Sequence, residues 1–180
     1  FSSGTDDKLG TQATFTEPKY IYMDATNNIF VAENSSKIRV ITSSGNVSTW
    51  YSHPDLLNAN SVAFQSGNSN VAYVSLANHT IYKITRSGTT FTQKLIAGKP
   101  GVAGFKDGND TASRFSSPQD LVVDNAGNVF VADQDNNVIR KITPTGVVST
   151  FAGNGTPFLL DGQGTQASFN SPRGLFLDTD

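Results

Sequence analysis

The sequence predicts an all-β chain: a β-propeller segment of about three four-stranded blades plus the first strand of a fourth, drawn from a six-bladed ring. Three observations predict it. The chain repeats itself roughly every 50 residues, each repeat breaks into four short apolar runs, and turn residues separate the runs. The composition agrees, since 16 of the 180 residues are Gly and only 16% are charged. Ser, Thr and Asn stand where charge would be, which suits strands and tight turns rather than helices. No stretch shows the spacing of three and four that a helical solenoid needs.

The repeats are read from three aligned positions. Phe15, Phe115 and Phe169 correspond, as do Pro18, Pro118 and Pro172, and Asp24, Asp124 and Asp178. Phe15 and Phe115 stand 100 residues apart, so one repeat lies hidden between them. It runs from Ser61 to Gly98 and keeps the strand pattern without the Pro or the Asp. The repeats therefore occupy about residues 4–50, 51–98 and 99–153, with a partial one at 154–180. In the clearest copy the strands fall at Leu121–Asp124, Asn128–Asp133, Val138–Thr143 and Val147–Phe151. Phe1-Ser-Ser-Gly aligns with Phe151-Ala-Gly-Asn at the end of a fourth strand, and Asp180 stands one strand into a repeat. The missing blades are expected from the same longer chain, or from a second copy closing the ring.

Within a repeat, Gly127 permits the positive φ of a tight turn, and Asp124 accepts hydrogen bonds from its own turn amides. Pro118 opens a strand, where a missing donor does no harm. Phe115 and Phe169 plug the gap between blades.

Pro118-Gln-Asp-Leu-Val-Val-Asp124, Gly127-Asn-Val-Phe-Val-Ala-Asp133 and Asn137-Val-Ile-Arg-Lys-Ile142 together resemble the NHL repeat, as does Pro172-Arg-Gly-Leu-Phe-Leu-Asp178. The preceding Asp-Gly-x-Gly-Thr-x-Ala-x-Phe spacer is similar to that of large secreted or surface-exposed NHL proteins. The repeat from Ser61 departs most, with Gln65 in place of the usual Asp and Leu76 in place of the acid that ends the second strand. The resemblance implies a six-bladed ring. Some related propellers are lyases or lactone hydrolases with metal and histidines near the axis, and some read RNA through a basic face.

The sequence offers little for catalysis. There is no Cys, which removes disulfides, thiolate metal sites and a Cys nucleophile. His53 and His79 lie in separate loops without a partner at ligand spacing, so each reads as an exposed turn residue. Asp6-Asp7 and Asp133-Gln-Asp135 lack the spacing of a calcium loop; a structural calcium is the only cofactor they suggest. No catalytic or metal residue is assigned, and the chain is expected not to be an enzyme. The alternative is a propeller enzyme, of lyase or lactone-hydrolase type, whose site lies in blades outside this segment. A net charge of −2 with scattered cations, Arg39 and Arg140 at one repeat position among them, argues against nucleic acid. No apolar run reaches the ~18–20 residues of a membrane span, so no membrane insertion is expected.

Binding is the better expectation. In a meander, alternate loops emerge on one face, so the spacers from Gly98 and Gly153 share a face with the turns Asn34–Lys37, Ala77–Thr80 and Gln134–Asn137. Phe105 beside Lys106, Gln134 and Asn136 in the facing turn, and Phe158-Leu159 form the candidate surface for a protein or glycan partner, or for self-assembly. Five Asn-x-Ser/Thr sites, at Asn34, Asn46, Asn78, Asn109 and Asn154, fall in turns and loops. With the missing Cys and low charge they point to a secreted or cell-surface interaction module.

Overall fold

The computed structural model describes residues 3–178. Phe1 and Asp180, used above to place the repeat boundaries, lie outside the described residues. Three antiparallel meanders follow one another along the chain. The first contains β1 (Pro18–Met23), β2 (Ile29–Glu33), β3 (Lys37–Ile41) and β4 (Val47–Ser52). The second contains β5 (Ala59–Gln65), β6 (Asn68–Leu76), β7 (Thr80–Ser87) and β8 (Thr90–Gly98). The third contains β10 (Pro118–Val123), β11 (Val129–Asp133), β12 (Val138–Ile142) and β13 (Val147–Ala152), with the two-residue β9 (Gly108–Asn109) added beyond β13. Residues 172–177 run beside β10, where the Leu175 amide donates to Asp120 Oδ2 at 2.8 Å.

The turns form for the reasons their sequences suggest. Asp24 Oδ1 accepts from the amides of Thr26 and Asn28, and Asp124 Oδ1 accepts from Asn128 at 2.7 Å. Gly127 takes φ +81°, and Asn27, at the same repeat position, takes +61°. Asn tolerates that left-handed region better than other side-chain-bearing residues.

Apolar faces of adjacent sheets then pack together. Between the first two sheets, Phe64 lies 4.1 Å from Phe30 and 5.1 Å from Trp50, ring centre to ring centre. Leu56, Val62, Val74 and Ile84 fill the same layer, all fully buried. Between the second and third, Tyr73, Ile81, Leu121, Val129 and the fully buried Phe115 form the layer. Each large side chain removed from water contributes about 2–3 kcal/mol, so two such layers hold three sheets side by side.

Two spacers are hairpins that run down the outer edge of the sheet they precede. In the first, Gly4 meets Phe15 and Thr14 meets Asp6, while Leu9 bridges to Asn46 at the start of β4. In the second, Gly104 meets Phe115, Lys106 bridges to Arg114, and β9 pairs with Val147–Val148 of β13. Both therefore cover an outer strand whose backbone groups would otherwise be an open edge.

Candidate functional site

Spacers and second-to-third-strand turns share one face. The Asn34 amide donates to Thr16 O at 3.0 Å, Asp135 to Ser116 O at 3.1 Å, and Gly101 to Asn78 O at 3.0 Å. The residues singled out from sequence divide sharply there. Phe105, half exposed, lays its ring over the Arg140 guanidinium with 5.2 Å to the ring centre. Lys106 offers its carbonyl to Arg140 at 2.9 Å. Asn136 donates to Gly104 O and to Asp133, each at 2.8 Å, and neighbouring Gln134 opens a short 3-10 turn. These four build the face. Phe158 and Leu159 are different, being 66% and 78% exposed on an otherwise polar loop.

Beneath this face lie two matching arginine clasps. Arg140 is fully buried; its Nη1 donates to Asp133 Oδ2 and Arg114 O, and its Nη2 to Asp107 Oδ1 and Lys106 O, all between 2.7 and 2.9 Å. Phe115 stacks on the guanidinium at 4.8 Å. Arg39 repeats the pattern with Glu33, Asp7, Thr14 O and Asp6 O, and with the Phe15 ring at 5.1 Å. Tyr82 holds this position in the middle repeat and joins an aromatic layer instead. Burial raises the Asp133 carboxyl above its ordinary value, against the pull of Asn136, Ser116 and Arg140. Of the carboxylates that suggested calcium, Asp7 and Asp133 belong to the two clasps, and Asp135 accepts from Ser117 Oγ at 2.6 Å. Among the described residues no group of three His, Cys, Asp or Glu is placed to hold a metal.

His79 is half-buried and belongs to the framework, which corrects its reading as an exposed turn residue, whereas His53, with its side chain 43% exposed, is a turn residue as read. His79 Nδ1 accepts from the Ser117 amide at 3.1 Å and so pins one sheet's turn to the next sheet's first strand. His53 Nδ1 accepts from the Asp55 amide at 3.3 Å and caps a short turn. Of the five sequons, Asn46, Asn109 and Asn154 are exposed. Asn34 gives its amide to Glu17 Oε2 at 2.9 Å, and Asn78 accepts from the Thr80 hydroxyl.

At the axis stands a residue that the sequence did not single out. Asp120, 3% exposed, accepts from Ser61 Oγ at 2.7 Å, Leu121 N at 2.8 Å, Tyr20 Oη at 3.2 Å and Leu175 N at 2.8 Å. Its donors come from the first strands of all three sheets and from the segment after them. Burial, then the neighbouring Asp120 charge, push the Tyr20 hydroxyl up to about 12. Tyr20 also lines a cleft of about 460 Å³ bounded by Met23, Phe64, Val123 and Leu177. At the repeat position of Asp120 the other copies carry Tyr20, Ser61 and Gly174. That irregularity, in a chain whose framework positions recur, is the signal that marks it.

Comparison with solved structures bears on the architecture. An auxiliary nutrient binding protein from Bacteroides thetaiotaomicron superposes with a TM-score of 0.59 at 19% identity, over 92% of this chain and 65% of its own. A candidate phosphatase from the same species gives 0.72 at 15% identity, over 98% and 51%. The virginiamycin B lyase of Staphylococcus aureus gives 0.52 at 17% identity, over 73% and 39%. The fold is a β-propeller segment. It spans between 51% and 65% of the length of the first three structures it matches. No protein-family profile matches the sequence, and no curated protein does.

Proposed function

We propose that this segment is a non-catalytic binding module of a secreted or surface NHL-type propeller, taking a protein or carbohydrate partner on its spacer face. The exposed Phe158-Leu159 pair carries the reading. Leu160 beside them, 54% exposed, stands at the bridge position of Lys106, and Phe158 takes the place of Gly104 in the second hairpin, so this loop carries apolar bulk that the repeat itself does not require. Such a cost in hydration is characteristic of contact residues. The first strands, at the axis, add polar groups suited to hydroxyl-rich ligands: Lys19 Nζ donates to Asn60 Oδ1 at 3.4 Å, and Asn60 Nδ2 to Pro118 O at 3.0 Å. The likeness to an auxiliary nutrient binding protein is in keeping with it. No helix is long and apolar enough to cross a membrane.

The test is a glycan and glycoprotein array probed with the wild-type chain and with Phe158→Ser/Leu159→Ser. Wild type binds at least one class, and the double variant loses roughly tenfold or more in affinity. Equal binding by both, or no binding by either, overturns the proposal. The likeness to a lyase favours one second reading, an axial enzyme completed by further blades. A stoichiometric metal together with turnover of lactone or cyclic-ester substrates would establish that reading instead.

A further inference from the structure

The spacer hairpin occurs three times, and its third copy is built like the other two. Residues 10–12, 110–112 and 164–166 form the same short 3-10 turn at the same repeat position. Leu160 bridges to Ser168 just as Lys106 bridges to Arg114. In the second hairpin the two bridge carbonyls, the Asp107 carboxylate and the Phe115 ring receive Arg140. Asp6 O, Thr14 O, Asp7 and Phe15 receive Arg39 in the same way. The third hairpin supplies the matching set, namely Leu160 O, Ser168 O, Asp161 and Phe169. Among the described residues no cation bonds to it.

We propose that this third hairpin is a preformed guanidinium receptor, and that its ligand is an arginine on the third strand of a further blade of this repeat. A planar donor fork meets two carbonyls and a carboxylate under an aromatic face, a set that a compact ammonium cannot span. The occupant follows from the interface already present between repeats. Phe130 and Phe30 share a repeat position, and Phe30 is covered by Phe64 of the next sheet. Phe130 instead lines an open apolar cleft of about 500 Å³ with Ile139, Phe151, Phe169 and Leu177. Residues 172–177 already lie there as a first strand does, tied through Leu175 to Asp120. The clasp arginine follows its spacer aspartate by 32 residues in the first copy and 33 in the second. A blade continuing the pattern brings its third strand to Asp161 at that spacing. A second copy of this chain offers no equivalent, because Arg39 and Arg140 are already enclosed and Tyr82 fills the remaining position.

The chain itself can be tested with N-acetyl-arginine amide as probe, at constant ionic strength, by amide shifts in NMR. Saturable shifts are expected at residues 160–169, with none at residues 106–115, where Arg140 fills the site. N-acetyl-lysine amide gives weak, non-saturating shifts, and Asp161→Asn, an exposed change that leaves the fold intact, abolishes the arginine response. Absence of saturable shifts, an equal response to the lysine probe, or survival of binding in Asp161→Asn each overturns the proposal. Sedimentation at rising concentration is the second readout. Self-association that Asp161→Asn abolishes would assign the receptor to a second copy and overturn the further-blade assignment.

Discussion

Arg140 Nη2 lies 2.7 Å from Asp107 Oδ1 and joins a spacer to the blade that follows it. The same guanidinium holds Asp133, buried like itself, at 2.9 Å. The two carboxylates are not equivalent. The Asp107 side chain is 52% exposed and has water as an alternative partner, whereas Asp133 is closed off from water and without Arg140 would keep only the neutral donors Ser116 N and Asn136 Nδ2. Arg140→Met therefore strands a buried carboxylate and is expected to cost about 3–5 kcal/mol. Asp107→Asn should cost about 1 kcal/mol or less. Arg140→Met combined with Asp133→Leu should recover part of the loss, because no uncompensated charge remains. Urea midpoints of wild type and these three variants check this ordering, and a combined variant no more stable than Arg140→Met would contradict it.

Asp24 couples the first two blades, since Ser69 Oγ donates to its Oδ2 at 2.8 Å from across the interface. Burial alone would raise its carboxyl, but hydrogen bonds from Thr26, Asn28 and Ser69 outweigh it and bring the value to about 2. The folded value thus lies below the unfolded one. Its stabilisation is complete above about pH 4 and is lost as pH falls through about 2. A carboxyl titration by NMR should place Asp24 lowest among the turn aspartates it can be compared with. Ser69→Ala should move it upward and shift the acid unfolding midpoint the same way. An unchanged acid transition in Ser69→Ala would remove the coupling.

Alkaline behaviour depends on Tyr20. Its hydroxyl titrates at about 12, above the ordinary value near 10, so the folded state keeps a proton that the unfolded chain releases. The associated stability is complete below about pH 10 and disappears between about 10 and 12. Asp120→Asn takes away the facing charge and should lower the Tyr20 value, as read by ultraviolet tyrosinate absorbance. Asp120→Ala strands four donors, from Tyr20, Ser61, Leu121 and Leu175, and should destabilise by on the order of 3 kcal/mol in urea. A Tyr20 titration unmoved by Asp120→Asn would show that burial alone sets it.

These variants also mark where sequence reading succeeds and where it stops. Gly127, Asp124 and Phe115 do local or nearest-neighbour jobs that recur in every good copy, so their roles are legible from residue type and spacing. Arg39 and Arg140 are visibly equivalent in sequence, yet an Arg in an alternating strand reads as a solvent-facing cation. Its burial depends on a spacer carbonyl and carboxylate more than 30 residues away, which periodicity cannot register. Asp120 is harder still, because its Tyr20 donor lies 100 residues distant. His79 reads as a turn residue and is one, but its ring nitrogen serves the neighbouring blade. Of the candidate face, Phe158 and Leu159 are exposed as an apolar loop tip should be, whereas Phe105 is drawn onto Arg140 by its aromatic face.

Two glycines separate backbone conformation from close approach. Gly88 takes φ +61° in the turn joining β7 to β8, and a Cβ there would meet nothing within 4 Å. Gly88→Ala should thus cost only the left-handed penalty, about 1 kcal/mol. Gly98 takes φ +84° at the end of β8, where a Cβ would lie 2.2 Å from the His79 carbonyl oxygen. That oxygen is backbone, in the turn whose imidazole holds Ser117, so it cannot yield without moving the junction between two blades. Gly98→Ala should therefore destabilise several-fold more than Gly88→Ala and should shift the amide resonances of Ser117 and its neighbours. Gly153, at the matching position of the third sheet, takes φ +93°, and its Cβ would meet Asn137 O at 2.8 Å. Gly153→Ala should follow Gly98→Ala in direction with a smaller effect, and equal urea midpoints for all three variants would refute the close-approach account.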